Sequence, residues 1–293
     1  MVQDKTLGNR IFNVLNYIVL GIFALATVLP FLYVISCSFA TQEEIVQKGF
    51  LLFPTKYSLS AYEYIFSTDS LTRSLMTTIY ITLVGTFINI ALTVLMAYPL
   101  AHAQIVGRKT ILFLVTFTML FNPGMIPGFM LVKSLGLLNS LWSLLLPGAI
   151  SAFNLIILKN FFQQLPMELE ESAKIDGCND FVILLRIILP LSMPAIATFS
   201  LFYAVGQWNT FMAALLYIND SALWPIQVLL RQIVLMSSGG AGDSTTLNVE
   251  LLQIEPQTVK MAVVVVATVP ILLVYPFLQK HFVQGVMVGS IKG

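Results

Sequence analysis

A chain of 293 residues has room for one or two soluble domains, but 57% hydrophobic and only 10% charged residues exclude them; soluble chains carry about 45–50% and about 25%. The mean hydropathy of +0.87 agrees, and a net charge of +1 gives no hold on a polyanion such as nucleic acid. In lipid every backbone polar group must be satisfied internally, which leaves helices or a closed barrel. Long continuous apolar runs, rather than alternating segments of about ten residues, select helices. The expected fold is an all-α transmembrane bundle of six spans.

Residues 1–10 are short and polar, and the first span is expected over 11–36, with Pro30 bending its far end. The run is too long for a cleavable signal peptide and reads as a retained span. Residues 41–73 form a mixed connection with Glu43, Glu44, Lys48, Lys56, Glu63 and Asp69. Its aromatics (Phe50, Phe53, Tyr57, Tyr62, Tyr64, Phe66) suit interfacial anchors or a small packed cap. The second span is expected over 75–101. His102 then reads as a headgroup-level residue, since no second metal-type side chain sits at helical spacing.

After the basic pair Arg108-Lys109, the third span covers 110–132 and contains Asn122-Pro123-Gly124-Met125-Ile126-Pro127. Two prolines and a glycine interrupt its hydrogen-bond ladder, which is tolerated only where protein or water faces the freed backbone. This makes it either a pathway wall or a structural kink. The fourth span is expected over 141–162 and the fifth over 195–218. Residues 219–260 are polar and mixed, with a short apolar run at 221–230 and a glycine-rich stretch at 237–243 read as a loop. The sixth span, 261–278, precedes a tail, 279–293.

Six spans place both termini on one side, with nine of the Lys/Arg residues there and six opposite. The positive-inside rule makes the side with nine cytoplasmic. Cys37 and Cys178 then lie on opposite sides and read as small apolar fillers that cannot pair.

Between the fourth and fifth spans, residues 166–194 form a charged island with Glu168, Glu170, Glu171, Asp176, Asp180, Lys174 and Arg186. Pro166 suits a first helical turn, the early glutamates suit its positive end, and Glu170 and Lys174 stand i,i+4. Gly177 is placed to end this helix at Asp176. Asn179 or Asp180 can cap a second helix over 181–189, which Pro190 stops or kinks before the fifth span. Leu169, Ala173 and Asp176 share a face suited to docking in a protein groove. An interfacial lipid helix would carry Lys and Arg where this one is acidic.

These residues carry a resemblance. Glu171-Ser172-Ala173, Gly177, then nine residues and Ile187-Ile188-Leu189-Pro190 resemble the Glu-Ala-Ala loop of ATP-binding-cassette (ABC) importer permeases, with Ser172 in place of the first alanine. Gly136-Leu137-Leu138-Asn139, Trp208-Asn209 and the ending Gly289-Ser290-Ile291-Lys292-Gly293 are similar to the carbohydrate-importer subgroup, such as the second permease of maltose transporters. Arg10-Ile11-Phe12-Asn13 and Asn16-Tyr17 are closer to permeases for larger oligosaccharides, with the second permease of alginate importers the nearest in kind.

The resemblance implies a single permease domain over 1–293 in the bacterial cytoplasmic (inner) membrane, both termini cytoplasmic. Its implied partners are a second homologous permease, two ABC ATPase subunits, a periplasmic solute-binding protein, membrane lipid and an oligosaccharide cargo. It also implies ATPase coupling through Glu171, Ser172, Ala173, Asp176, Gly177, Ile187, Leu189 and Pro190, with the tail residues 284–293 reaching the ATPase pair. ATP and magnesium belong to the partners; this chain has no phosphate loop of the Gly-x4-Gly-Lys-Ser/Thr type. It is expected to bind no cofactor or metal and to catalyse nothing.

Polar and aromatic residues within the spans, Asn122, Asn154, Gln207, Trp208 and Asn209, are candidates for the sugar pathway or for hydrogen bonds between helices. No span carries a basic cluster, so an anionic sugar would have its charge met elsewhere. An ion-coupled secondary transporter would need carboxylates inside the spans or a broken-helix repeat, and a membrane enzyme would need partners for His102 or His281. A non-sugar cargo for an ABC importer stays open at this stage.

Overall fold

In the computed structural model the described residues are 7–121, 123–237 and 257–290, with side chains described over 8–121, 123–235 and 257–273. Two compact units emerge, Met1–Asp69 with Leu230–Thr268 and Ser70–Leu229 with Val269–Gly293. Among the described residues the secondary structure is helical apart from an isolated antiparallel bridge between Ala40 and Tyr57.

The first unit begins with α1 (Leu7–Ser38), which runs through Pro30. Its most apolar stretch is exposed on every side. A helix apolar all round belongs in lipid or against another membrane helix. Two short helices follow, α2 (Gln42–Lys48) and α3 (Ser60–Ser67), and make residues 41–69 a packed cap. Cys37, Ala40, Ile45 and Leu51 form its core, with Tyr33 and Met261 against them. Tyr33 stacks on Phe50 at 5.3 Å and Phe39 on Tyr62 at 4.9 Å.

A carboxylate holds the cap's long turn. Glu44 accepts from Lys48 Nζ at 2.8 Å, Thr55 N at 2.9 Å, Thr55 Oγ1 at 2.5 Å and Lys56 N at 3.1 Å. The Lys48 ammonium, then the Thr55 hydroxyl and amide, bring its pKa down to about 2.

The second unit is built around α4 (Asp69–Ala101). Its buried stripe includes Ser74, Thr78, Gly85, Asn89, Thr93 and Ala97. Small and polar residues at i, i+4 spacing let neighbouring backbones approach and hydrogen-bond inside a membrane bundle. Apolar side chains such as Leu83 and Phe87 face outward. Thr78 Oγ1 donates to Ser74 O at 2.8 Å and accepts from Ile226 N at 2.8 Å. It thereby satisfies the opening amide of α14 (Ile226–Ser237).

The remaining spans are broken rather than continuous, the third at the Pro-Gly stretch where an interruption was expected, and each break has a chemical cause. The third divides into α5 (Arg108–Leu120) and α6 (Met125–Ser134), parted at Pro123-Gly124, where Gly124 has φ +86°. The fourth divides into α7 (Trp142–Leu145) and α8 (Ala152–Phe162), with Pro147-Gly148 between. The fifth divides into α12 (Met193–Trp208) and α13 (Met212–Tyr217). Asn209 Nδ2 and Thr210 Oγ1 fold back onto Val205 O and Gly206 O at that junction, at 2.9 and 3.3 Å.

The final helix, α15 (Gln257–Ser290), runs past the expected end of the sixth span into the tail. Among the described residues, the helices long and apolar enough to cross a membrane are therefore two, within α1 and α4, or three if Asp180–Leu191 and Met193–Trp208, bent by 85°, count as one. The expectation of six spans is met in that part only. The glycine-rich stretch after Ser237 and Asn122 lie outside the described residues, as do the side chains of the expected tail contact, 284–293.

The turn at Gly136–Asn139 links α6 to α13. Gly136 and Asn139 take φ +68° and +56°. Asn139 N donates to Tyr217 O at 2.7 Å, and Asn139 Oδ1 accepts from Asn219 N and Asp220 N at 3.2 and 2.9 Å. The unit's main core joins α4, α5, α8 and α12 to the loop at 166–194 through Val94, Tyr98, Val115, Leu158, Ile183 and Phe199.

Candidate functional site: the loop between α8 and α12

The loop at 166–194 starts with α9 (Met167–Ile175), with Pro166 at its N-cap and Asp176 at its C-cap. Glu168 and Glu170 lie in the first turn, where unpaired amides favour carboxylates. Ser172 Oγ donates to Glu168 O at 2.7 Å. The helix ends as glycine allows: Gly177 has φ +81°, Cys178 N donates to Ala173 O at 2.9 Å, and Gly177 N to Lys174 O at 3.0 Å. This pair of reversed bonds is the Schellman arrangement. Asn179 then caps α10 (Asp180–Ile183), its Oδ1 accepting from Val182 N at 2.9 Å.

Of the two expected outcomes at Pro190, a stop or a kink, the chain takes the second: the helix runs through the proline and bends sharply just after it. Residues Leu184–Ile188 widen into a π turn, and a last turn, α11 (Leu189–Leu191), carries Pro190 before the chain bends by 85° into α12. Proline offers no amide and crowds the carbonyl four residues back; a wider turn just upstream accommodates both defects. Ile188 is buried, Ile187 and Leu189 pack against the core, and Pro190 is exposed.

The helix face differs from the one expected. Ala173 is buried in the unit's own core, so it is unavailable to a groove elsewhere. The outward residues are Met167, Leu169, Glu171, Ser172 and Ile175, the last 86% exposed. The expected Glu170–Lys174 pair is also absent. Lys174 Nζ reaches Asp180 Oδ1 at 3.1 Å across the glycine turn, and Glu170 turns inward to His102.

That inward contact is the part sequence reasoning missed. His102 Nε2 lies 2.6 Å from Glu170 Oε2, and His102 Nδ1 lies 3.0 Å from Tyr98 O. The ring stands edge-on to Tyr98 at 4.9 Å. Each of the last four carbonyls of α4 meets a polar group here, three of them a donor. His102 Nδ1 faces Tyr98 O, and the His102 amide donates to Pro99 O at 3.1 Å. Arg108 Nε donates to Leu100 O at 2.9 Å, and Gln163 Nε2 to Ala101 O at 3.0 Å. Such carbonyls have no partner within the helix. Beside them lies a groove of about 500 Å³, lined by Tyr98, His102, Gln104, Lys174, Asp180 and Phe181. Among the described residues no group of three or more His, Cys, Asp or Glu gathers to hold a metal ion.

The expected pathway residues are not brought together. Asn154 is buried near the start of α8, its amide accepted by Ser151 Oγ at 3.4 Å. Trp208 is buried and lines an apolar cleft of about 200 Å³ with Thr82, Leu201 and Pro270. Asn209 is exposed at the end of α12. Gln207 is buried against Gly85 and Asn89.

With its amide turned as its neighbours require, Asn89 donates to Gly85 O at 2.9 Å and Ala149 O at 3.2 Å and accepts from Gln207 Nε2 at 3.2 Å. One turn further on, the hydroxyls of Thr93 and Tyr203 meet at 2.7 Å, and Tyr203 accepts from Ser151 N at 3.0 Å. Gly85, Asn89, Thr93 and Tyr203 were not singled out from the sequence. The signal for the first three was the i, i+4 row of small and polar residues in an otherwise apolar helix.

Residues 90–288 match the family described as binding-protein-dependent transport system inner membrane component. The polygalacturonan/rhamnogalacturonan transport system permease protein YtcP of Bacillus subtilis (strain 168) is 61% identical over 97% of this chain and 99% of its own. Protein LplC of the same organism is 55% identical over 99% and 98%. A chain in the crystal structure of a bacterial ABC transporter involved in the import of the acidic polysaccharide alginate superposes with a TM-score of 0.87. That chain is 32% identical, and the match covers 96% of this chain and 100% of the other.

Proposed function

Since the chain belongs to the family of binding-protein-dependent transport system inner membrane components, and with its relatives is a non-catalytic permease subunit of an ABC importer for a sugar or oligosaccharide, we propose that its cargo is an acidic oligosaccharide built from uronate sugars. One observation carries this. The 61% identical relative is named for polygalacturonan and rhamnogalacturonan, and the 32% identical structure for alginate, an acidic polysaccharide. The shared chemistry is a sugar chain bearing carboxylates. The cargo's charge is met outside this chain's spans, by the partner permease or the binding protein.

The chain acts as one permease domain over 1–293, crossing the bacterial cytoplasmic membrane six times with both termini inside. Its partners are a second homologous permease, two ABC ATPases that hold ATP and magnesium, and an external binding protein. The loop at 166–194 and the tail at 279–293 face the ATPases. Exposed Met167, Glu171 and Ile175 offer the contact, and Gly177 with the buried Ala173, Ile187 and Leu189 makes the loop one piece with its bundle. Ser172, Asp176 and Pro190 complete that surface. Closure of the ATPase pair moves the loop as a rigid body, and the spans alternate between inward and outward access. Asn154, Gln207, Trp208 and Asn209, with Asn122, line the pathway as the bundle opens.

The test is reconstitution of the complex in vesicles with its binding protein. Galacturonate oligomers should stimulate ATP hydrolysis and enter the lumen, whereas neutral gluco-oligosaccharides should do neither. Stimulation by the neutral oligomers alone would overturn the assignment of cargo.

A further inference from the structure

We propose that Arg108, Lys159 and the opening turn of α5 bind the phosphate of an anionic phospholipid from the cytoplasmic leaflet. The site stands apart from the cargo and from the ATPase contact; only the choice of leaflet rests on the orientation proposed above.

A lysine near the end of a membrane helix ordinarily lays its stem along apolar surface and keeps its ammonium in water. Lys159, in the last turn of α8, leaves only 9% of its surface exposed. Its neighbours on that helix, Leu155, Leu158 and Phe162, belong to the core. Among the described residues its ammonium makes no ion pair and no hydrogen bond. A buried cation left unpaired is costly, and one partner of opposite charge removes the cost. The nitrogen is not sealed off, so that partner can arrive from outside the chain.

The chain around Lys159 adds donors and no acceptor of charge. Lys159 and Gln163 stand one turn apart on one face of α8. Gln163 Nε2 donates to Ala101 O and Arg108 Nε to Leu100 O, so α8 and α5 meet at the same end of α4. The charge that acts on Lys159 is that of Arg108, of like sign. The carboxylates at this end are engaged elsewhere, Glu170 with His102 at 2.6 Å and Asp180 with Lys174 at 3.1 Å. Arg108 spends Nε alone, and among the described residues its terminal nitrogens have no partner. Neither do the amides of Lys109 and Thr110 in the first turn of α5, which no side chain caps. Open amides at a helix N-terminus beside a guanidinium and an ammonium make a phosphate site.

The surface beside the site selects a lipid over a free ion. Val106, two residues before Arg108, is 96% exposed, and the outward side chains of α5 and α8 include Phe113, Leu114 and Ile157. Acyl chains lie along such faces, while the headgroup enters a basic pocket between helices on the cytoplasmic side.

The experiment places the complete complex in nanodiscs of phosphatidylcholine, of phosphatidylcholine mixed with phosphatidylglycerol, and of phosphatidylcholine with inorganic phosphate in the buffer. Amide exchange at Lys109 and Thr110, followed by mass spectrometry, is the readout. Phosphatidylglycerol should slow it about tenfold, the scale of one charge-assisted hydrogen bond, and inorganic phosphate should leave it unchanged. Lys159→Met should lose the slowing, and Lys159→Arg, which keeps the charge, should retain it. Unchanged exchange of the wild type in phosphatidylglycerol would overturn the site. Equal slowing in Lys159→Met would reduce the effect to surface charge and overturn it too. Equal slowing by inorganic phosphate would overturn the lipid as its occupant. None of these results bears on whether the complex imports an acidic sugar.

Discussion

Gly85 is where one added carbon should cost most. A Cβ there would lie 2.8 Å from Gln207 Cδ and 2.9 Å from Gln207 Nε2. Carbon contacts settle at about 3.5–4.0 Å, so in Gly85→Ala the Gln207 amide retreats by about 0.6–1 Å. Its bond to Asn89 is 3.2 Å long and does not survive that retreat. Hydrogen bonds between membrane helices are worth about 0.6 kcal/mol on average and about 1.7 at most. Overpacking a closed interior adds about 1–3 kcal/mol. The expected loss is about 1.5–4.5 kcal/mol.

In a Gln207→Ala background the new methyl meets the space the amide left. There Gly85→Ala should be neutral, or stabilising by up to about 1 kcal/mol, through helix propensity alone. Unfolding of the purified protein in detergent micelles, measured for the four members of this cycle, reads the sign change. An equal cost in both backgrounds, or none in the wild type, would refute the account of α4 and α12 packing through Gly85.

Gly177→Ala meets open space but forces a left-handed alanine, at about 1–2 kcal/mol. Amide exchange at Cys178, whose N–H closes the turn, should speed up at least about fivefold, and Gly177→Asn should lie between the two. Asn179→Ala should cost about 1 kcal/mol by removing the acceptor for Val182 N, and Asn179→Asp should restore it, as read by thermal unfolding. Glu44 has its pKa depressed to about 2 by Lys48 first and Thr55 next. Its contribution to the cap is therefore present above the ordinary carboxylate range and lost as pH falls from about 5 toward 2. Exchange protection of the Thr55 and Lys56 amides should collapse over that window in the wild type and show no such step in Glu44→Gln.

Local chemistry was legible in the sequence, and distant pairing was not. Pro166, Gly177 and Asn179 announce a helix start, a left-handed turn and a cap, because each acts on a backbone within three residues of itself; Pro166 itself stands one position earlier than expected, at the N-cap. Glu170 was assigned to Lys174 for the same reason, being the near partner; its actual partner lies 68 residues away. Pro190 marks a stop or a kink from the sequence, and the π turn that lets the chain carry it before the bend has no local signature. The six expected spans rested on apolar length alone. Pro147-Gly148, the Asn209-Thr210 junction and Pro123-Gly124 cut three of them, and only the last was marked beforehand. In α4 the apolar run hid the site, since lipid-facing and buried faces are equally greasy and the informative residues are the few polar ones.

The stripe on α4 has a consequence for how the chain is made. Asn89 and Thr93 leave the ribosome long before their partners; Tyr203 follows Thr93 by 110 residues. At about 5–20 residues per second, that interval lasts about 6–20 s. Throughout it the Asn89 amide and the Thr93 hydroxyl have only α4's own carbonyls, Gly85 O and Asn89 O, to bond to, and their remaining polar capacity is one that lipid will not solvate, whereas α1 is apolar on every side and can enter the bilayer unaided. A nascent chain stopped before α12 should therefore hold α4 at the insertion machinery rather than release it. Replacing Asn89 by leucine should set that helix free early, at the expense of the partner it was waiting for.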